Sequence, residues 1–294
     1  MAKPEPAPIR FHDDAALFRE AVNFTAAETA FAARLIEKDY FCTVLLMHLA
    51  RVAGNKLAFK GGTCLAKVHA GFYRLSEDLD FVIPVPVNAS RTERSRQASG
   101  LKEAVAALPS KISCFRVVEP MTGANISTQY IGVVSYASVL GGQTETIKIE
   151  VGLREPLRTP VAEADARTIL LDPVSNEPMV PPIRVRCISR IEAFAEKFRA
   201  ALTRHEVAIR DFFDIDYAIR KLSLLPQDAA MVRLVKNKIA VPGNDPVDVS
   251  EQRLAALRQQ IEPRLKPVLR ERDFTEFDLN RAFKTVVEMA KAVA

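Results

Sequence analysis

The sequence predicts an α+β fold, with a mixed sheet and flanking helices in the N-terminal half and a mostly helical C-terminal half. β-like stretches with alternating apolar residues lie within residues 57–153. Apolar residues at three- and four-residue spacings predict helices at 13–53, and again almost exclusively after position 183. Proline-rich connections precede this second change. We therefore predict two domains, residues 1–182 and 183–294.

The N-terminal region predicts helices behind a loose tail. Thr25 is followed three residues later by Glu28, which is the pattern of a capping box. The first ten residues, MAKPEPAPIR, have no apolar signal core, so we predict a tail and a cytoplasmic protein. The longest apolar run, YFCTVLLMHLA, is shorter than the roughly 20 residues that span a bilayer. No membrane segment is predicted.

The amino-acid composition indicates a globular protein and gives no sign of a zinc-knuckle or disulfide-stabilised class. With 48% hydrophobic and 26% charged residues, the 294-residue chain has the composition of an ordinary globular protein. Its net charge of +5 allows a polyanionic partner without requiring one. The four cysteines contain no CxxC pair, which predicts neither a zinc knuckle nor a disulfide framework. The four histidines are unclustered in the sequence and receive no role.

A strand, a turn and a helix are predicted around two glycines. LAFKGG at 57–62 predicts a short strand that ends in a tight turn, and TCLAKVHAGF predicts the following helix. Gly61 and Gly62 would let a phosphate approach the main chain, and Thr63 would start a helix whose free N–H groups favour an anion. The spacing of a Walker loop is absent. The alternative is that GGT is only a turn.

A pair of carboxylates follows this unit. Asp78 and Asp80 alternate with Leu79 at the start of a predicted strand, which Pro84 and Pro86 restrict to a sheet edge or bring to an end. Both carboxylates would then project from one face. A shared divalent cation, most simply Mg²⁺, would offset their mutual repulsion. The alternative is a helix cap or a solvated turn.

Further polar residues could complete a site around these two motifs. A third carboxylate is expected from a neighbouring strand, and in ETIKIEVGL Glu150 alternates with Lys148, so both could face one cleft. The alternative is the polar face of an amphipathic strand. Arg74 and Lys67 could meet phosphate oxygens or be solvated, and Ser76 could touch a phosphate or cap the turn.

Three segments carry a resemblance to a known family: IEKDYFCTVLLMHLA, LAFKGGTCLAKVHAGFYRLSEDLDFVI and EKFRAALTRHEVAIRDFFDIDYAI. Over roughly residues 27–222 the chain resembles the AbiEii/AbiGii nucleotidyltransferase toxins of bacterial phage-defence and toxin–antitoxin systems. That family resembles the polymerase-β-like nucleotidyltransferases, whose signature is a glycine turn, a helix and paired aspartates. Thr63 stands where many of those enzymes have serine, and the distance from Gly62 to Asp78 exceeds their minimal pattern. The resemblance implies a nucleotidyltransferase-like sheet, with the helical domain contributing to the active-site cleft.

The resemblance also implies roles for the matching positions. Asp78 and Asp80 would be catalytic and bind metal, with Glu150 as the further candidate ligand. Lys197 would contact the triphosphate, and Asp211 would complete the active site. The residues expected to hold the nucleotide are Lys60, Gly61, Gly62, Thr63, Arg74 and Ser76.

The spacing of charges in the helical half is consistent with these roles. Lys197, Arg204 and Asp211 are spaced by sevens, which predicts one helix face directed toward the sheet. Asp214 follows Asp211 by three residues, so it would lie on the same helix face and support it. The alternative is that these charges form the solvated side of a helix.

The resemblance implies that the protein would be an enzyme that transfers a nucleotide from an NTP to RNA, in particular the 3′ acceptor end of tRNA, and would thereby block translation. Mg²⁺ or Mn²⁺ would be its cofactor, and a cognate antitoxin would be its protein partner. Two alternatives stay open. One is nucleotide or phosphate transfer to a protein or a small molecule, and the other is a non-catalytic RNA-binding regulator.

Overall fold

The computed structural model describes residues 8–294, so most of the predicted tail lies outside the described residues. The strands are β1 Ala58–Lys60, β2 Leu79–Val82, β3 Arg116–Ala124, β4 Gln129–Ala137, β5 Thr144–Gly152, β6 Ala162–Ala166 and β7 Ile183–Cys187. The helices are α1 Ala15–Thr29, α2 Ala33–Val52, α3 Gly61–Cys64, α4 Arg91–Ala106, α5 Leu108–Lys111, α6 Arg190–Thr203, α7 Ile209–Leu222, α8 Ala229–Ile239, α9 Glu251–Arg258, α10 Glu271–Glu276 and α11 Leu279–Val293. Within these residues, no helix has both the length and the apolar character that crossing a bilayer requires. The architecture confirms the α+β prediction.

In the described part of the chain, the strands form one seven-stranded sheet in the order β3-β4-β5-β2-β1-β7-β6. The pairs β1–β7 and β2–β5 are parallel, and the other neighbouring pairs are antiparallel. Strand β2 is central and ends at Val82, before Pro84. Of the two outcomes expected for the prolines, the structure therefore has the end of the strand.

Alternation along the strands gives the centre of the sheet one apolar face and one polar face. Phe81 of β2 and Ile149 of β5 are buried in a core with α1, α2 and α4. Their chain neighbours Asp80 and Glu150 point to the opposite face, because successive side chains in a strand alternate. The apolar face thus fixes the direction of the carboxylates, which is toward the C-terminal helices.

The C-terminal helices form a second core that includes Phe198 of α6, Phe212 of α7 and Val286 of α11. Val82 of β2 belongs to this core, so the helices pack directly on the sheet. The sheet continues past the predicted boundary at 182/183, because β7 pairs with both β6 and β1. The helical part begins only at Arg190, and the division into two domains stays a prediction.

The predicted capping box at Thr25 is wrong. Helix α1 starts at Ala15, and the side chain of Asp14 accepts hydrogen bonds from the first helical N–H groups. Thr25 lies buried inside this helix, where its hydroxyl donates to the Ala21 carbonyl and accepts from the Leu171 N–H. The prediction failed because a buried threonine with a hydrogen-bond partner elsewhere in the fold can have the same sequence pattern as a capping threonine.

Candidate active site

A cleft of about 600 Å³ separates the polar face of the sheet from helices α6 and α7. Predicted site residues from both halves of the chain line it: Lys60, Gly61, Gly62, Arg74, Ser76, Asp78, Asp80, Glu150, Lys197 and Asp211. The structure thus brings the glycine turn, the three carboxylates and the charged residues of the helical half to one place.

The two glycines allow a close approach between the turn and its neighbours. Gly61 has φ of +76°, a conformation that disfavours other residues. A Cβ atom at Gly61 would lie 2.1 Å from Oδ2 of Asp80, and one at Gly62 would lie 2.6 Å from Nη2 of Arg74. The chain therefore turns from β1 into α3 in direct contact with the second aspartate. The first N–H groups of α3 therefore lie close to the carboxylates.

The three carboxylates lie on adjacent strands, as predicted for a neighbouring-strand ligand. Asp80 of β2 is directly paired with Glu150 of the parallel strand β5. Asp78 lies one alternation earlier than Asp80, on the same face. Carboxylate oxygens are the donors that Mg²⁺ and Mn²⁺ prefer, and soft metals prefer sulfur and nitrogen. The chemistry of these donors therefore suits a hard divalent cation.

The negative charges of the three carboxylates are only partly compensated by neighbouring positive charges. Burial and the nearby charge of Glu150 raise the pKa of Asp80 to about 6. The ammonium group of Lys148 lies 3.2 Å from Oε2 of Glu150 and 4.0 Å from Oδ2 of Asp78. Burial lowers the pKa of Lys148, but the charges of Glu150 and Asp78 outweigh this effect and raise it. A divalent cation would relieve the same repulsion more completely.

On the helical side, four charged groups form a connected chain. Lys197 of α6 places its Nζ 2.8 Å from Asp211 and 2.8 Å from Asp214, both on α7. Arg74 donates to both oxygens of Asp214, from Nε at 2.5 Å and from Nη2 at 2.8 Å. Burial disfavours the charge of Asp214, but Arg74 and Lys197 hold its pKa well below the usual range. Asp211 and Asp214 share a helix face, as the sequence predicted.

The predicted single helix through Lys197, Arg204 and Asp211 is wrong. Helix α6 ends at Thr203, and Asp211 belongs to the next helix, α7. The three side chains converge nevertheless, since Arg204 Nη1 lies 3.4 Å from Oδ2 of Asp211. The packing of α6 against α7 brings these side chains together, whereas the seven-residue spacing had predicted that one helix would do so.

Two residues predicted to contact phosphate have their polar atoms engaged within the protein. The Thr63 hydroxyl donates to the carbonyl of Asp78, which ties the start of α3 to the start of β2. Arg74 is buried against Asp214 and reaches the cleft only beside Gly62. Both stay predicted nucleotide-binding residues, and both position other site residues in the structure. Ser76 also lies beside Gly62 and lines the cleft.

The suggestion that Lys67 meets phosphate is wrong. Its side chain is fully buried, and Nζ lies 2.6 Å from Oδ1 of Asp39 and 2.7 Å from the Thr43 hydroxyl, both on α2. A lysine one turn into a helix after a glycine turn can point either toward the ligand or into the core. Here Asp39 accepts the charge in the core.

Glu196 is a cleft residue that the sequence reasoning missed. Its carboxylate lies 3.0 Å from Lys60 Nζ and 3.2 Å from Lys238 Nζ. Burial disfavours its charge, but these two lysines keep the pKa of Glu196 far below its usual range. Its position next to Lys197 was the available signal, although no motif marks it.

Two arginines beside the cleft were also missed. Arg154 follows β5, Arg199 lies on α6, and both donate to Oδ1 of Asn244, at 2.7 and 3.2 Å. Within residues 8–294, neither makes an ion pair, and the Nε atoms of both are buried without a hydrogen-bond partner. Burial and the charge of Arg199 lower the pKa of Arg154. The charges of Glu155 and Glu196 oppose this lowering, so the two guanidinium groups are partly compensated, and a nearby anion would complete their pairing.

The fold is similar to that of two solved bacterial proteins. MenT4, a nucleotidyltransferase toxin from Mycobacterium tuberculosis H37Rv, aligns with a TM-score of 0.53 and 19% identity, covering 94% of this chain and 97% of the other. JHP933 from Helicobacter pylori aligns with a TM-score of 0.51 and 15% identity, covering 90% and 93%. At these identities the likeness establishes the fold. No curated protein sequence matches the chain.

A family profile agrees with the site and covers most of the chain. The profile described as "Nucleotidyl transferase AbiEii toxin, Type IV TA system" matches residues 44–288. The match includes the glycine turn, the three carboxylates and the Lys197–Asp211 pair. The chain therefore belongs to the AbiEii family of nucleotidyltransferase toxins from type IV toxin–antitoxin systems.

Proposed function

We propose that this toxin transfers a nucleotide from an NTP to the 3′-hydroxyl of an RNA, with the acceptor end of tRNA as the target, and so blocks translation. The observation that carries the proposal is the Asp80–Glu150 pair, in contact with the glycine turn and facing the Lys197–Asp211 pair across one cleft. Nucleotidyl transfer needs these groups together, because a polyphosphate and a hydroxyl must meet beside a cation site.

The glycine turn and the helical lysine would hold the nucleotide. The N–H groups at the start of α3 and the Ser76 hydroxyl would donate to phosphate oxygens, and the absence of side chains at Gly61 and Gly62 would permit contact with the backbone. Lys197, fixed between Asp211 and Asp214, supplies a positive charge on the opposite wall. The charge that develops on the leaving pyrophosphate would be stabilised there.

In the proposed reaction, the oxygen of the RNA 3′-hydroxyl forms a bond with the α-phosphorus of the NTP. The bond between that phosphorus and the oxygen bridging to the β-phosphate breaks, and pyrophosphate leaves with its electron pair. The hydroxyl proton passes to the carboxylate group around Asp80 and Glu150. Asp78, Asp80 and Glu150 would hold Mg²⁺ or Mn²⁺, which supplies charge stabilisation at the phosphate oxygens when bound.

The acceptor would enter from the side of Arg154 and Arg199, which make no ion pair within residues 8–294. Strand register puts the glycine turn at the Asp78 end of β2, and Arg154 beyond the Val82 end. Arg154 comes four residues after Glu150, or about 13 Å along an extended chain. The glycine turn and the two arginines thus lie on opposite sides of the carboxylates. This arrangement supports a nucleotide on one side and a polyanionic acceptor on the other.

The experiment that tests this proposal uses purified protein, Mg²⁺, each α-labelled NTP in turn, and deproteinised total RNA. We expect label in RNA of tRNA size with at least one NTP, and none with Asp78→Ala, since that variant lacks one of the paired carboxylates. Folding of the variant is checked by circular dichroism. No labelled RNA from folded wild-type protein with any NTP would contradict the proposal.

The main alternative differs only in its acceptor, which would be a protein or a small-molecule hydroxyl. Adding a cell extract to the same reaction and separating RNA from protein identifies the labelled fraction. Label confined to protein would support this alternative. We also propose that the toxin acts in the cytoplasm as part of phage defence. A toxin–antitoxin family further supports the proposal that a cognate antitoxin neutralises it.

A further inference from the structure

A second group of metal-binding side chains lies behind the glycine turn. Cys64 of α3, His69 of the π-helical turn Leu65–His69, and Cys187 at the end of β7 have ligand atoms that all lie within 4.8 Å of one another. Both cysteines are fully buried, and His69 is half-buried. His69 is therefore not isolated, in contrast to the interpretation of the sequence.

We propose that these three side chains bind Zn²⁺. Two thiols and an imidazole form a soft to borderline donor set, which selects zinc and disfavours the oxygen-preferring Mg²⁺ and Mn²⁺. Zinc–sulfur bonds of about 2.3 Å and zinc–nitrogen bonds of about 2.0 Å put tetrahedral ligand atoms less than about 4 Å apart. The observed spacing needs only a small contraction to reach this geometry.

The orientation of the histidine supports the proposal. Nε2 of His69 lies 3.0 Å from the carbonyl oxygen of Ile188. A carbonyl oxygen can only accept, so Nε2 carries the proton and Nδ1 is the nitrogen with the lone pair. Metal-binding histidines are commonly held in this way, with one ring nitrogen donating to the protein.

The cysteines are also poised for binding. The sulfur atoms of Cys64 and Cys187 lie close enough together to reach one ion. Zinc binding would displace the protons of both thiols, because the thiolate is the ligand form. With three protein ligands, the fourth position falls to water or to an added thiol.

The site would connect two elements of the candidate active site. Cys64 directly follows Thr63, whose hydroxyl contacts the Asp78 carbonyl, and Cys187 pairs with Phe59 of β1. A bound ion would thus connect the end of α3 to β7, on the side of the turn away from the cleft. Cys64 and His69 are five residues apart and Cys187 lies more than a hundred residues later, so no CxxC pattern marks the group.

The test uses the full chain, stripped of metal with a chelator in a phosphine reductant and titrated with Co²⁺ as a spectroscopic substitute for zinc. We expect the visible bands of tetrahedral cobalt and a sulfur-to-cobalt charge-transfer band that saturate at one equivalent and are displaced by Zn²⁺. Cys64→Ser and Cys187→Ser should lose the charge-transfer intensity, and His69→Gln should weaken binding by at least tenfold. Cys114→Ser, at a half-buried cysteine outside the group, is the matched control and should behave like wild type.

Two measurements keep the proposal falsifiable if a serine variant folds poorly. Zn²⁺ alone should raise the melting temperature of the wild-type protein and of Cys114→Ser, because an ion that binds only the folded state stabilises it. Absence of cobalt bands and of this shift in folded wild type would overturn the proposal. A disulfide between Cys64 and Cys187 in protein purified without reductant, detected by mass spectrometry, would overturn it as well.

Discussion

Arg74 and Asp214 form a fully buried, two-point ion pair that joins the segment before the paired aspartates to helix α7. The Tyr73 hydroxyl donates to the same carboxylate at 2.6 Å. Since Lys197 also contacts Asp214, the pair links the glycine-turn side of the cleft to its helical side. The relative position of the two walls thus depends on this one carboxylate.

Replacing Asp214 with Asn should destabilise the protein by about 3–5 kcal/mol, because removal of one partner leaves the buried Arg74 charge uncompensated. The free energy of unfolding from urea titration measures the effect. The matched control is Asp245→Asn, at an exposed aspartate paired with the exposed His205, where we expect a change within about 0.5 kcal/mol. Equal stability of the two variants would refute the structural role of the pair.

Replacing Gly61 with Ala should abolish nucleotide transfer. The added methyl group would lie 2.1 Å from Asp80 and would sit on a residue with φ of +76°, so the turn or the carboxylate must move. Gly100→Ala, in the interior of helix α4 with no atom within 4 Å of the new methyl group, is the control and should stabilise the protein by about 1 kcal/mol. Activity and melting temperature are compared for both variants. Full activity of Gly61→Ala would argue against close contact at the turn.

Without a divalent cation, Asp80 should contribute a loss of stability as the pH rises from about 4 to about 6. The pKa of Asp80 is raised from 3.8 to about 6 in the folded protein, so the folded state binds more protons than the unfolded state in this window. Stability then declines with increasing pH wherever the folded state holds the extra proton. Urea titrations at several pH values measure the slope, and Asp80→Asn should reduce it. An unchanged slope in that variant would mean that another group is responsible.

The affinity for Mn²⁺ should rise over the same pH window. A cation at Asp80 competes with its proton, so binding is weak when the carboxyl is protonated and strengthens as pH passes about 6. Isothermal titration at pH 5 and pH 7.5 tests this, with Asp80→Asn as the variant that should bind poorly at both. Equal Mn²⁺ affinity at the two pH values would place the ion elsewhere.

The double variant Arg154→Ala/Arg199→Ala should weaken binding of the RNA acceptor more than binding of the NTP. Each lost phosphate contact reduces the slope of log affinity against log salt by about 0.7 for a single strand. We therefore expect a higher KM for RNA, a shallower salt dependence and an unchanged KM for NTP. Arg91→Ala, at an exposed arginine that starts α4, is the control. A rise only in the KM for NTP would assign the arginines to the nucleotide instead.

Local patterns predicted a large part of the site. The alternation of Asp78 with Asp80, and of Lys148 with Glu150, depends only on the two-residue period of strands, and the structure has both pairs on the polar face. The central strands and the helical second half were predictable for the same reason, since apolar periodicity reports which face is buried. The roles of these residues in binding metal and nucleotide stay predictions.

The sequence-based predictions failed or were incomplete for charged side chains that could either pair with another residue of the protein or point into the cleft. Lys67 pairs with Asp39 in the core, and Lys197 and Asp211 meet across two helices, because α6 ends at Thr203. The arginine pair at Asn244 and the group of Cys64, His69 and Cys187 carry no signal in spacing at all.

The sequence by itself determined which residues can face a common surface, through strand alternation, the glycine turn and the apolar stripes of the helices. Only the tertiary structure decided which of those surfaces meet, which charges are paired in the core and which stay available in the cleft. The physical reason is that burial and pairing of a charge depend on partners more than a hundred residues away, as for Arg74 and Asp214.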